Sequence, residues 1–333
     1  MTPTDTPQEF GTLPDGKTVK AIRLRGGGLS ATLLTFGARV QDLRLDGADH
    51  PLVLGADTLE PYLDPMIYHG AIVGRFANRI ADGRFTLDGE TYRTDPNEGK
   101  RQTLHGGADG TAAHLWEIRE VSADSATLSL TLPDGHMGFP GALTILATHS
   151  LPGDGTLAIE ITATTDVPTP CSLAHHGYFT LADGRPVSEQ ELWIDADRYL
   201  PVDDRLIPVP EAPAPVADTR FDFRTPRRIG TDGIDHNFCL NETPGDMRKV
   251  VRVTADNGLS LEVETDQPGL QVYDANSQPK LTGLGGRAYG AFAGLALETQ
   301  AWPDAVNRPN FPDAILRPGE TYRHRVHYRF ARD

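Results

Sequence analysis

Apolar and polar residues alternate with a period of two through much of this chain. Residues 19–24, 30–36 and 40–45 each put every second side chain on one apolar face, and the third run ends at the turn Asp46-Gly47. That period predicts strands with one buried face. Asp88-Gly89 separates the alternating runs Arg84–Leu87 and Glu90–Arg93, and both residues tolerate the positive φ of a primed hairpin turn. Asn257-Gly258 predicts a second hairpin between 250–254 and 259–264. Residues 128–132, 143–147, 157–163 and 270–273 read as further strands, and Asp-Gly recurs at 109, 134, 154, 183 and 232. Turn signals this regular predict an all-β fold, a large antiparallel sandwich or barrel. One short helix is predicted over 57–63, capped by Asp57 and limited by Pro61. Residues 1–8 are expected to fray. The proline-rich stretch 208–215 has apolar neighbours on both sides and reads as a stiff surface connection, so 1–333 is expected to form a single domain.

Composition narrows the function classes. The chain has 333 residues, 38% hydrophobic, enough for a large core. Its 34 Gly and 26 Pro suit short strands and tight turns. Net charge is −15 with no Lys/Arg block, which argues against nucleic acid and anionic membrane as partners and favours a neutral small molecule. Two cysteines, Cys171 and Cys239, fit a reducing compartment better than a disulfide scaffold. The N-terminus lacks a basic and an apolar signal region, and no apolar run reaches the ~18 residues of a membrane span, so a cytoplasmic location is expected.

The candidate chemistry centres on Leu297-Glu298-Thr299-Gln300. Seven small or apolar residues, 291–297, run into the Glu298 carboxylate, and a Pro-rich loop with Asn307-Arg308-Pro309-Asn310-Phe311-Pro312 follows. Apolar surroundings disfavour the charged form, so such an acid can exchange protons near neutrality; equally, a strand-end glutamate can simply meet water or an arginine. In a strand over 172–181, His176 and Tyr178 share one face and His175 and Gly177 the other, so only one of the two histidines can enter a cleft. Asn78, Arg79, His105, Asp235 and Gln271 have hydrogen-bonding groups suited to sugar hydroxyls, though each also reads as an ordinary strand-end, loop or turn residue. The histidines lack His-x-x-x-His spacing, and neither Cys-x-x-Cys nor a Gly-x-Ser-x-Gly elbow occurs, which argues against a metal centre and a serine triad.

Together these stretches resemble the aldose 1-epimerase (galactose mutarotase) family from about residue 10 to the C-terminus. The anchors are Gly74-Arg-Phe-Ala-Asn-Arg-Ile80, Leu104-His-Gly-Gly107, His176-Gly-Tyr-Phe179, Asp235-His-Asn-Phe238 and Leu297-Glu-Thr-Gln300 with the loop after it, in the family's order. The resemblance implies a β-supersandwich with an open sugar cleft. It implies Glu298 as general base and His176 as general acid, with Asn78, Arg79, His105, Tyr178, Asp235 and Gln271 holding the sugar. Two departures stand out. His175 and Gly177 replace the family's usual Asn and frequent Ser, and Asp274-Ala-Asn-Ser277 replaces a common Thr-Gly-Asn. The implied reaction is reversible opening of a free aldose such as galactose or glucose between two opposed proton-carrying groups, with no cofactor. A non-catalytic sugar-binding module, a glycoside hydrolase using Glu298 and Asp235, and a sugar-phosphate epimerase are the rival readings. Monomer and dimer both stay open.

Overall fold

The computed structural model describes residues 6–241 and 245–332. Two large antiparallel sheets carry it. The nine-stranded sheet runs in the order Glu117–Val121, Ser125–Leu132, Leu143–Gly153, Thr156–Thr165, Tyr322–Arg332, Leu259–Thr265, Arg248–Thr254, Glu191–Ile194 and Arg227–Arg228. The six-stranded sheet runs Tyr178–Phe179, Leu295–Gln300, Gly269–Tyr273, Asp235–Cys239, Arg198–Tyr199 and Ala214–Pro215. Four N-terminal strands, Gln8–Thr12, Thr18–Gly26, Leu29–Leu34 and Arg39–Leu45, form a separate sheet.

The period-two pattern explains how the two large sheets meet. Ile145, Ile159, Ile161, Val263 and Val326 point inward from the larger sheet and share one buried cluster with Leu270, Val272, Leu295 and Leu297 from the smaller. Polar contacts cross the same interface. The Tyr328 hydroxyl donates to the Leu297 carbonyl at 3.2 Å. His324 Nδ1 donates to the Leu173 carbonyl, which leaves Nε2 to accept from the Thr299 hydroxyl, both at 2.8 Å. This is the all-β sandwich that the alternation predicts.

The Asp88-Gly89 hairpin forms with positive φ at both residues, 49° and 88°. Three local expectations change. The helix covers only Glu60–Leu63, with Leu59 at its N-cap, because Asp57 turns its carboxylate to the Gly285 N–H at 2.8 Å. The stretch 172–181 is two short strands, Ala174–His175 and Tyr178–Phe179, which pair with different partners. Of the N-terminal residues expected to fray, 1–5 lie outside the described residues, and Gln8 already opens a strand. No helix among the described residues is long and apolar enough to cross a membrane. Cys171 and Cys239 are free and buried, and burial pushes both thiols up to about 12.

Candidate active site

Glu298 lies mid-strand in Leu295–Gln300, every residue of which is buried. Its cross-strand partner is Gln271, whose next partner is Asn237. Directly opposed residues share a face, so these three side chains line one side of the six-stranded sheet, with Asp235 two residues along. Leu297, Leu270 and Val272 take the other face and enter the core. Gln271 Nε2 donates to Asp235 Oδ1. Glu298 Oε2, Gln271 Oε1 and Asn237 Oδ1 are buried without partners among the described residues. Orphaned acceptors are costly in a closed fold, and hydroxyl groups are their natural complement.

His176 sits in the break between its two short strands, where backbone bonds fix it. Its N–H donates to the Ala71 carbonyl at 2.8 Å and its carbonyl accepts from Gly70 at 2.9 Å. Its Nε2 lies 3.4 Å from Glu298 Oε1. The two groups therefore stand side by side, not opposed. Tyr178 stacks on His176 with ring centroids 5.0 Å apart, and Tyr68 stacks at 5.9 Å. His175 points the other way, against Tyr328 and Phe179 in the core.

Asn78 and His105 lock one another. The His105 N–H donates to the Asn78 carbonyl at 3.0 Å, and the Asn78 N–H donates to His105 Nδ1 at 3.1 Å. Both residues have positive φ, 64° and 51°. With its Nδ1 lone pair occupied, neutral His105 must carry its hydrogen on Nε2, which makes it a hydrogen-bond donor. Arg79 is clamped by Glu98 through two 2.8 Å bonds from Nε and Nη2, with Asp235 Oδ2 at 3.8 Å from Nη2. The loop after Glu298 braces this strand: the Asp304 N–H donates to the Arg79 carbonyl, and its carboxylate accepts from the Ala81 N–H.

Several nearby residues had no signal strong enough to single out in the sequence. Tyr68 and His69 lie on a loop held by the fully buried Arg39, which donates to the Met66, Ile67 and His69 carbonyls. His69 stacks on Tyr178 at 4.1 Å and contacts Gln278 through Nε2 at 3.3 Å. Glu98 sits in an aperiodic polar loop. The run Tyr68-His69-Gly70, which echoes the residue types of His176-Gly177-Tyr178, was the one available hint.

Burial dominates the electrostatics. It raises Glu298 well above the ordinary carboxylate range, Asp235 adds to the effect, and Arg79 opposes it. Burial lowers His176 to about 4. His105 is lowered well below its usual value by burial, then by His176 and Arg79. Asp235 is raised by burial against the pull of Arg79 and Gln271. Desolvation opposes the Arg79 charge, but Glu98, Asp235 and Glu298 outweigh it.

Donor atoms of His105, His176 and Glu298 lie within 4.8 Å of one another, so a metal ion must be considered. The set does not fit one. A metal needs a ring lone pair, and in His105 one nitrogen accepts the Asn78 N–H while the other bears the hydrogen.

A family model described as Aldose 1-epimerase matches residues 20–329. A galactose mutarotase of Mus musculus is 42% identical over 337 aligned positions, covering 97% of each chain. An aldose 1-epimerase of Escherichia coli K12 is 37% identical, covering 95% of this chain and 96% of its own. Among solved structures, an aldose epimerase homologue from C. elegans superposes with a TM-score of 0.88 at 31% identity, covering 94% of this chain and 99% of its own. A galactose 1-epimerase from Lactobacillus acidophilus gives 0.85 at 28% identity, covering 98% of each.

Proposed function

The chain belongs to the aldose 1-epimerase family, and from that premise we propose that it interconverts the α and β anomers of a free aldose, with Glu298 and His176 as the proton-transfer pair. The observation that carries the assignment of these two residues is the 3.4 Å contact between their buried side chains. The names of the relatives are those of epimerases and mutarotases and do not favour the binding-module or hydrolase readings.

Ring opening needs one group that gives a proton and one that takes it. Burial disfavours both charges, which favours the pair's shared proton on Glu298. Moving it across the 3.4 Å contact gives a carboxylate and an imidazolium, and Arg79 favours that step by stabilising the carboxylate. Glu298 then takes the C1 hydroxyl proton while His176 protonates the ring oxygen. The C1–O5 bond breaks, leaving the open-chain aldehyde. Rotation about C1–C2 presents the other carbonyl face, and closure returns both protons. Redox state and composition are unchanged throughout. Arg79 and neutral His105 would donate to ring substituents, and Asn78, Tyr178, Asp235 and Gln271 would hold the remaining hydroxyls in reactive geometry.

Polarimetry on freshly dissolved α-galactose or α-glucose tests the assignment. Glu298→Gln and His176→Ala are each expected to lower the enzymatic rate by about 10²–10⁴-fold with an unchanged circular dichroism spectrum. Full activity in either folded variant would remove that residue from the mechanism. The relatives named for galactose make it the first sugar to assay. Two buried free thiols suit a reducing compartment, and we place the protein in the cytoplasm.

A further inference from the structure

Away from the proton-transfer pair, Asp109, His114 and His136 bring three metal-ligating side chains together, with donor atoms within 4.8 Å of one another. We propose that they bind a divalent transition ion of the zinc class, and that this ion fastens the loop carrying His105 to the turn at 136–138.

Two of the donor spacings, each to a different oxygen of Asp109, are close to those of a tetrahedral site. Bonds of about 2.0–2.1 Å at tetrahedral angles set neighbouring donors about 3.3 Å apart. His136 Nε2 lies 3.0 Å from Asp109 Oδ2, and His114 Nε2 lies 3.4 Å from Asp109 Oδ1. Two imidazoles sharing such an ion have ring centroids about 5 Å apart; here they are 5.3 Å apart. Histidine-to-carboxylate hydrogen bonds alone would produce the first two distances. The convergence of both imidazoles on one carboxylate is the feature that favours an ion.

The ligands stand on fixed backbone. His114 follows the 3₁₀ turn Thr111–Ala113, whose Thr111 hydroxyl donates to the Ile72 carbonyl at 2.6 Å. His136 begins the 3₁₀ turn His136–Gly138, and its side chain is only 10% exposed. Asp109 is 53% exposed, which gives the ion an entry and lets water complete its coordination. Binding has a cost. His114 Nε2 would give up its 3.0 Å contact with the Asp109 carbonyl. His136 Nδ1, buried and without a partner among the described residues, would have to carry the ring hydrogen. A missing outer partner typically weakens a site by about 10–100-fold, so roughly micromolar affinity is expected, weaker than a structural zinc.

The test uses the full chain stripped by a chelator, with zinc alone as the probe. Calorimetry should show one equivalent bound, and saturation should raise the melting temperature by about 2–4 °C. Both effects should persist in Glu298→Gln and vanish in His114→Ala and His136→Ala, which keep their mutarotation in zinc-free buffer. Asp109→Asn preserves the shape and should weaken binding at least tenfold, so the proposal stays testable if a histidine variant fails to fold. No saturable binding up to about 1 mM would overturn it. So would binding that survives the folded histidine variants or Asp109→Asn, or binding lost in Glu298→Gln, which would move the ion to the cleft.

Discussion

Burial sets the proton affinity of Glu298, Arg79 trims it, and Glu98 tempers how much of the Arg79 charge reaches it. Arg79 pulls the Glu298 carboxyl down against burial, while the bidentate Glu98 clamp cancels part of that pull. The proposed proton-transfer pair works while it holds one proton. On the alkaline side it fails when Glu298 releases that proton, well above the ordinary carboxylate range. Glu98→Gln removes a negative charge beside Arg79, so Glu298 should ionise more readily. The alkaline limb of kcat should move to lower pH, and KM should rise as Arg79 loses its anchor. An unshifted limb in a folded variant would show that Glu98 acts on Arg79 position alone. At this scale Glu298, His176 and Arg79 were legible because each stands beside an apolar strand or a glycine-flanked motif. Glu98 was not, because its role comes from a loop folded back on Arg79 with no periodicity to mark it.

Around the two short strands that flank His176, the two substitutions that make up one departure from the family pattern depend on each other. A Cβ at Gly177 would lie 2.6 Å from His175 Cε1 and 3.0 Å from Phe179 Cζ. The imidazole at 175 therefore demands the glycine at 177. Gly177→Ser should destabilise the protein by about 1–3 kcal/mol through overpacking. With His175→Asn present, the smaller amide clears that space, and the serine should cost at least 1 kcal/mol less, roughly the coupling expected for residues in contact. Urea melts of the two single variants and the double variant measure this; additive effects would disprove the coupling. The sequence put His175 and His176 on opposite faces, and the side chains do diverge. It could not show the interruption between them, since the pairing partners, Ile72–Val73 for one strand and Leu295–Gln300 for the other, lie about a hundred residues away in opposite directions. The same limit applies to Asp57, which reads locally as a helix cap but is taken by the distant Gly285 N–H.

The order of strands across the whole molecule was the least legible feature, because it rests on long-range pairing. Tyr322–Arg332, last in the chain, inserts between Thr156–Thr165 and Leu259–Thr265 at the centre of the nine-stranded sheet. Closing the sandwich this way buries histidines from several elements, and that governs stability against acid. His69 is lowered to about 3, and His149, His176 and His324 to about 4, with burial the leading cause in each. His105 and His175 are also lowered well below the usual value, again chiefly by burial. In the unfolded chain each would titrate near about 6.5. Below that pH the unfolded state binds protons that the native state refuses, so stability is fully present above about 6.5 and is lost as pH falls toward the native values. Each such group contributes about 1 kcal/mol per pH unit in that window. Six together cost several kcal/mol within one unit, against a typical total of about 5–15. Glu298, Asp235 and Asp274 act with the opposite sign, since burial raises each and the native state keeps protons that the unfolded chain releases, but they are three groups against these six imidazoles and His236, which is also lowered to about 4. Melting temperature should therefore drop steeply between about pH 6.5 and 5. The acid loss of mutarotation should coincide with that unfolding, before His176 itself titrates. A melting temperature unchanged from pH 7 to 5 would mean that these histidines are not held neutral by the fold.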